Sequence, residues 1–158
     1  SNKNNSFKLS PEAKLASSVF EKNKGRLPWP VVKGTITKRF GKQRHSQVSS
    51  TYIENKGIDI STTKGASVRV VFNGTVTAIF PIAGGGQVVI VSHGGYRTVY
   101  ANLKTVNVRL NQKLKTKETI GTLLPNSSGT ISESHFEIWK ISGASLKPQN
   151  PAIWLYRR

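Results

Sequence analysis

After Val31 the apolar residues leave helical spacing and recur at every second position, in short runs separated by glycine. A period of two belongs to strands with one buried face, and many such strands bury that face by packing as a sandwich or closing as a barrel. The runs are 34–40, 57–61, 67–72, 74–80, 86–92, 96–101, about 119–124 and 134–141. In the fourth, alternation sets Val76, Ala78 and Phe80 on one face and Thr75, Thr77 and Ile79 on the other. Turn chemistry falls at Lys64-Gly65, Asn73-Gly74, Gly84-Gly85-Gly86 and Gly94-Gly95; Asn73-Gly74, between two β-rich runs, predicts a tight hairpin. The expected fold is all-β, an antiparallel sandwich or barrel with one short N-terminal helix. Residues 41–56 read as one long polar loop, a length that often serves function in a compact domain.

The helix is announced by Ser10-Pro11-Glu12: an N-cap, a proline at the first helical position and an acid in the first turn. Leu15, Val19 and Phe20 form its apolar stripe, and Lys24-Gly25 is its stop. So short a helix needs support, so it either packs on the domain or continues a helix from upstream. Residues 1–10 are polar and expected to be disordered. The organisation expected is a linker and helix over 1–26 and one domain over 27–158.

The 24 Lys and Arg against 7 Asp and Glu give a formal charge of +17. The bases are spread out and lack interleaved aromatics, which argues against nucleic acid and leaves anionic lipid or cell-wall polymer as the general attractor. With no Cys, a disulfide scaffold, a Cys-zinc site and thiol catalysis are excluded. The absence of any Met predicts that the chain is excised from something longer, with its targeting segment left behind.

Three stretches carry candidate chemistry: Asn55-Lys56-Gly57-Ile58-Asp59, Tyr100-Ala101-Asn102-Leu103 and Glu133-Ser134-His135-Phe136-Glu137-Ile138. In a strand Glu133, His135 and Glu137 share one face, which fits a metal or acid–base row and equally a solvated strand face. His93 reads as scaffold, His45 as surface, and Trp29, Trp139 and Trp154 as packing residues, Trp139 being near enough to a groove to touch a ligand.

From about Leu27 to its end the chain resembles the LytM/lysostaphin-type zinc metallopeptidase domain. The resemblance is carried by Phe40-Gly41, by Gly57-Ile58-Asp59-Ile60, by Gly65 with Val68, Val70 and Gly74-Thr75-Val76 as a central hairpin, and by Val89 to Gly94 followed by Tyr96 to Ala101. Val108, Leu114, Ile120 and Gly121, then His135-Phe136-Glu137-Ile138, complete it. It implies the LytM fold (a duplicated hybrid motif) and marks Glu137 as scaffold. Asn111 stands where a turn glycine is expected, a position asparagine tolerates.

The departures fall in the active site. Of the three metal-ligand positions, Asp59 and His135 are kept and Asn55 replaces a histidine. The two further histidines of the enzymes are replaced by Asn102 and Glu133. Two ligands hold zinc weakly, and neither assisting histidine remains to act on the water. A rescued set would be Asp59/Glu133/His135, giving a zinc endopeptidase with altered ligands. Otherwise the resemblance implies no cofactor and no catalysis.

A degenerate domain of this type resembles the EnvC/NlpD-type murein hydrolase activators. That implies a partner-binding groove of Asn55, Asp59, Tyr100, Asn102, Glu133 and His135. The implied partner is an N-acetylmuramoyl-L-alanine amidase, activated to cut septal peptidoglycan during daughter-cell separation in the periplasm or cell envelope. The helix leans towards the EnvC type, whose upstream coiled coil answers to an ABC-transporter-like division complex. The alternative is a module that binds peptidoglycan without activating anything.

Overall fold

The computed structural model describes residues 8–44 and 52–158. The expectations for residues 1–7 and for His45 lie outside these. The helix forms as its caps dictate. In α1 (Pro11–Lys22) the Ala13 amide donates to Ser10 Oγ at 3.0 Å, and the Asn23 side chain donates to the Val19 carbonyl at 2.9 Å. Its buried face is not the one expected. Leu15 and Val19 are 67% and 39% exposed, and Phe20 is the anchor, fully buried among Phe72, His93, Tyr96 and Trp154. The face turned to the domain carries Ala13, Ser17 and Phe20: Ser17 Oγ accepts from the Gly95 amide at 2.6 Å and Gly94 lies against the Ala13 carbonyl, so the docking stripe has one large apolar side chain and gives no clear apolar period.

The strands are β1 (Thr35–Lys38), β2 (Gly41–Arg44), β3 (Tyr52–Asn55), β4 (Ile58–Thr63), β5 (Ser67–Arg69), β6 (Gly74–Pro81) and β7 (Gln87–Ser92). They continue with β8 (Tyr96–Val106), β9 (Lys113–Leu114), β10 (Thr119–Leu123), β11 (Ile131–Ser142) and β12 (Ser145–Gln149), and a 3-10 turn at Pro151–Ile153 follows. All ladders are antiparallel. The main path runs β1-β4-β11-β8-β7-β6-β9, with β10 pairing both β5 and β8, β12 on β11, and β2–β3 a separate two-stranded ribbon. The fold is thus the antiparallel β architecture expected, and Ile58, Ile60, Val89, Val91, Tyr100, Phe136 and Ile138 are among its core residues.

Three local expectations are corrected. The loop over 41–56 contains β2 and β3, paired from Gly41↔Asn55 to Arg44↔Tyr52; four residues each, Gly-Lys-Gln-Arg and Tyr-Ile-Glu-Asn, give no alternation to read. Asn73-Gly74 is not a hairpin turn, since β5 pairs with β10 whereas β6 pairs with β7 and β9. Asn73 instead ties neighbours together: its carbonyl meets His93 Nδ1 at 2.7 Å and its side-chain oxygen accepts from Thr116 N at 2.8 Å. In β6 the pairing shifts between Val76↔Val91 and Ala78↔Ile90, so Thr77 is an extra residue that reverses the alternation. Val76 is core, Ile79 packs against the core, and Phe80 turns outward.

The two ends of the domain meet at one seam. The Gly25 and Leu27 amides both donate to the Trp154 carbonyl (2.9 and 3.2 Å), the Tyr156 amide donates to Leu27 O (2.9 Å), and Trp29 Nε1 donates to Tyr156 O (2.9 Å). Asn111 adopts the left-handed backbone expected of it, φ 68°.

Candidate functional site

The strand β11 builds the site. Ser132, Ser134, Phe136 and Ile138 face inward, so Glu133, His135, Glu137 and Trp139 share the other face. Pairing sets His135 opposite Asp59 of β4 on one side and Ala101 of β8 on the other. Gly57 lets β3 lead into β4 beside this strand: a Cβ there would run into the Phe136 carbonyl oxygen.

His135 is held from both sides. Its Nδ1 lies 2.7 Å from Asp59 Oδ1 and its Nε2 2.6 Å from Glu137 Oε2. Glu137 is steadied in turn by Trp139 Nε1, which donates to Oε1 at 2.7 Å. Burial alone would push the imidazole pKa down, but the Asp59 and Glu137 carboxylates outweigh it and raise His135 to about 9. Burial would raise Glu137, yet bonds from His135 and Trp139 hold its carboxyl below the usual carboxylate range. The arrangement at neutral pH is an imidazolium donating both its protons.

Asn55 caps this row. Its side-chain oxygen accepts from the Gly57 amide at 3.0 Å, and its Nδ2 lies 3.5 Å from Asp59 Oδ2. Asn102 sits at a left-handed backbone position, φ 62°, and its Nδ2 donates to the Glu133 carbonyl at 3.0 Å. Tyr100 does not reach this surface. It is buried, it accepts from the Val71 amide at 3.0 Å and it bonds Thr98 at 2.8 Å, because the β8 alternation turns Tyr96, Thr98 and Tyr100 into the core. Reading Tyr100 as a groove residue is thereby corrected. Glu137, read as scaffold, is instead a direct partner of His135; its place on the His135 face of the strand was the signal that could have found it.

Among the described residues the face carries two separate recesses. One, about 570 Å³, is apolar and is lined by residues including Phe80, Ile82, Val88, Val99, Trp139 and Leu146, with His135 and Glu137 on its wall. The other, about 360 Å³, is polar and contains Asn102, Glu133, Gly84, Gly85 and Asn126. Asn102 and Glu133 therefore open into a different recess from His135.

The family likeness implies zinc, and the donor set does not fit it. Both ring nitrogens of His135 already face carboxylate oxygens, and Asn55 offers a neutral amide whose oxygen accepts from the Gly57 amide. Among the described residues no group of three or more His, Cys, Asp or Glu side chains comes together in a way that could hold a metal ion, the set Asp59/Glu133/His135 included.

The model of Peptidase family M23 matches residues 53–151. This chain belongs to that family. Within it, the sequence is 30% identical over 151 residues to the cell division protein DipM of Caulobacter vibrioides, covering 92% of this chain and 23% of that protein. It is 33% identical over 123 residues to the murein hydrolase activator NlpD of Escherichia coli, covering 76% of this chain and 29% of that one. The chain thus spans less than a third of the length of these curated relatives. Csd3 of Helicobacter pylori shares the fold with a TM-score of 0.67 and 24% identity, over 84% of this chain and 35% of Csd3. The domain is a degenerate LytM-type member. No described helix is long and apolar enough to cross a membrane.

Proposed function

We propose that this domain is a murein hydrolase activator with no hydrolytic chemistry of its own. It takes hold of a cell-wall N-acetylmuramoyl-L-alanine amidase at the face built on β11, in the periplasm or cell envelope, and so promotes septal peptidoglycan cleavage and daughter-cell separation. The observation that carries this reading is the His135 bridge. The residues that would coordinate and activate a water are satisfied by one another, while the apolar recess beside them remains open to an amphipathic segment. The likeness to NlpD and DipM supports the activator role and weighs towards the NlpD type. The helix gives the EnvC-type coiled coil less support, since α1 starts at its own Ser10 cap and packs on the domain.

The test pairs metal analysis with two activity measurements. The purified domain should carry far less than stoichiometric zinc, release nothing from purified cell wall alone, and raise the rate of a cell-wall amidase from a related bacterium. Stoichiometric zinc with turnover would make it an endopeptidase. The +17 charge favours a second reading, binding to anionic wall polymer without activation. Co-sedimentation with peptidoglycan and no effect on the amidase would mark that outcome.

A further inference from the structure

Along β11 the face changes character between His135 and Glu133. Five of the seven acids have partners: Glu21 bonds Tyr96 and Lys140, Glu54 pairs with Lys56, Asp59 and Glu137 hold His135, and Glu118 accepts from the Lys115 amide. Glu12 is exposed in the first turn of α1. Glu133 alone has a half-buried carboxylate in a recess with no hydrogen bond or ion pair among the described residues, in a chain with 24 bases.

Asn102 brings a second acceptor to the recess. A backbone carbonyl can accept only from the nitrogen of an amide, so the bond to Glu133 O fixes Asn102 with Nδ2 committed and Oδ1 free. The Asn126 side chain is engaged by Thr130 and Ile131, and among the described residues no Lys or Arg lines the recess. A carboxylate and a free amide oxygen in a recess lined by no described basic side chain match a multi-donor cation, an ammonium or a guanidinium. Arg97 lies on the wall of the apolar recess at its far end, opposite Trp139, so the face as a whole runs from an anionic end to a cationic one.

Building on the docking reading above, we propose that the Glu133–Asn102 recess receives a Lys or Arg side chain of the protein segment whose apolar residues lie in the adjoining recess. It would thereby set that segment's register and direction. The six steps from Glu133 to Trp139 span about 20 Å of strand. A docked helix covers that in about 13 residues, so the base and the apolar anchor over Trp139 lie about that far apart.

The test needs no partner. The folded domain is titrated with N-acetyl-arginine amide while its amide resonances are followed by NMR, and N-acetyl-citrulline amide serves as the neutral isostere. The expected result is a change at the Asn102 side-chain amide and at Gly84 and Gly85, at least about fivefold weaker for citrulline and weakened at least about fivefold by Glu133→Gln. Equal affinity for both probes, or an unaltered affinity in Glu133→Gln, overturns the proposal. A wall stem tripeptide with a free side-chain amine is a third arm; binding tighter than the arginine probe would overturn the assignment to a protein segment. Amidase stimulation separates the two readings. Stimulation retained in Glu133→Gln overturns the recess proposal and leaves the activator reading standing. Arginine binding at Glu133 without stimulation by the wild-type domain overturns the activator reading, and with it the partner segment.

Discussion

Phe20→Ala is the sharpest test of how the N-terminal helix is held. The ring is fully buried and lies 4.8 Å from the rings of His93 and Tyr96, 5.0 Å from Trp154 and 5.8 Å, edge-on, from Phe72. Truncating such a phenylalanine costs about 3–5 kcal/mol from lost transfer energy and the cavity left behind. The cavity here is walled by four rings anchored in the main sheet and at the C-terminal turn, which cannot collapse inward cheaply, so the upper half of that range, about 4 kcal/mol, is expected. For a domain of this size that lowers the thermal midpoint by roughly 8–16 °C. The control lies on the same helix: Leu15→Ala removes an exposed side chain and should cost under about 0.5 kcal/mol. Urea unfolding followed by tryptophan fluorescence reads both, because Trp154 sits against Phe20. If Phe20→Ala costs no more than Leu15→Ala, with an unchanged denaturant slope, the ring cluster does not hold α1 and the reasoning fails.

The two described histidines predict a stability maximum near pH 6.5. Burial lowers His93 to about 4, so its contribution is intact above 6.5 and is lost as the unfolded chain protonates on acidification, by about 3 kcal/mol between 6.5 and 4. His135 is raised to about 9, so its contribution is present below 6.5 and fades as pH rises through 9. A urea midpoint that stays flat from pH 6.5 down to 4.5 would show the His93 reasoning to be wrong. Glu137→Gln removes one of the charges holding the His135 proton; its midpoint, read from the imidazole proton by NMR, should fall by more than about 1 unit from the wild type. Phe80→Glu puts a charge on the wall of the apolar recess at a side chain 41% exposed; it should change stability by about 1 kcal/mol or less yet lower amidase stimulation about tenfold or more. Undiminished stimulation would move the docking face elsewhere.

The strands that bury one face were legible because alternation is a consequence of burial: β4, β7, β8 and β11 are strongly patterned and lie where the spacing put them. What was hidden depends on neighbours distant in sequence. The bulge at Thr77 leaves no local mark, and it moves Phe80 off the face it was expected to share with Val76 and onto the wall of the apolar recess. Asn73-Gly74 carries hairpin chemistry but is spent on His93 and Thr116. The edge strand β12 buries too little to show a period, and the short runs of β2 and β3 carry no alternation in their sequence. At the site, spacing gave the shared face of Glu133, His135 and Glu137. It gave neither the division of that face into two recesses nor the inward turn of Tyr100, both set by how β8 and the loops after β6 and β10 pack around β11.

The seam between the chain's two ends bears on how the domain behaves under tension. Residues 25–27 and 154–156 are joined by three backbone hydrogen bonds, and Leu27 and Leu155 form a parallel bridge. A pull applied to both ends of the domain, as on a protein strung between anchoring points in a growing envelope, would fall first on that clasp. The β4–β11–β8 ladder that carries His135 and Glu133 would not be in series with it, so the clasp could part while the binding face kept its shape.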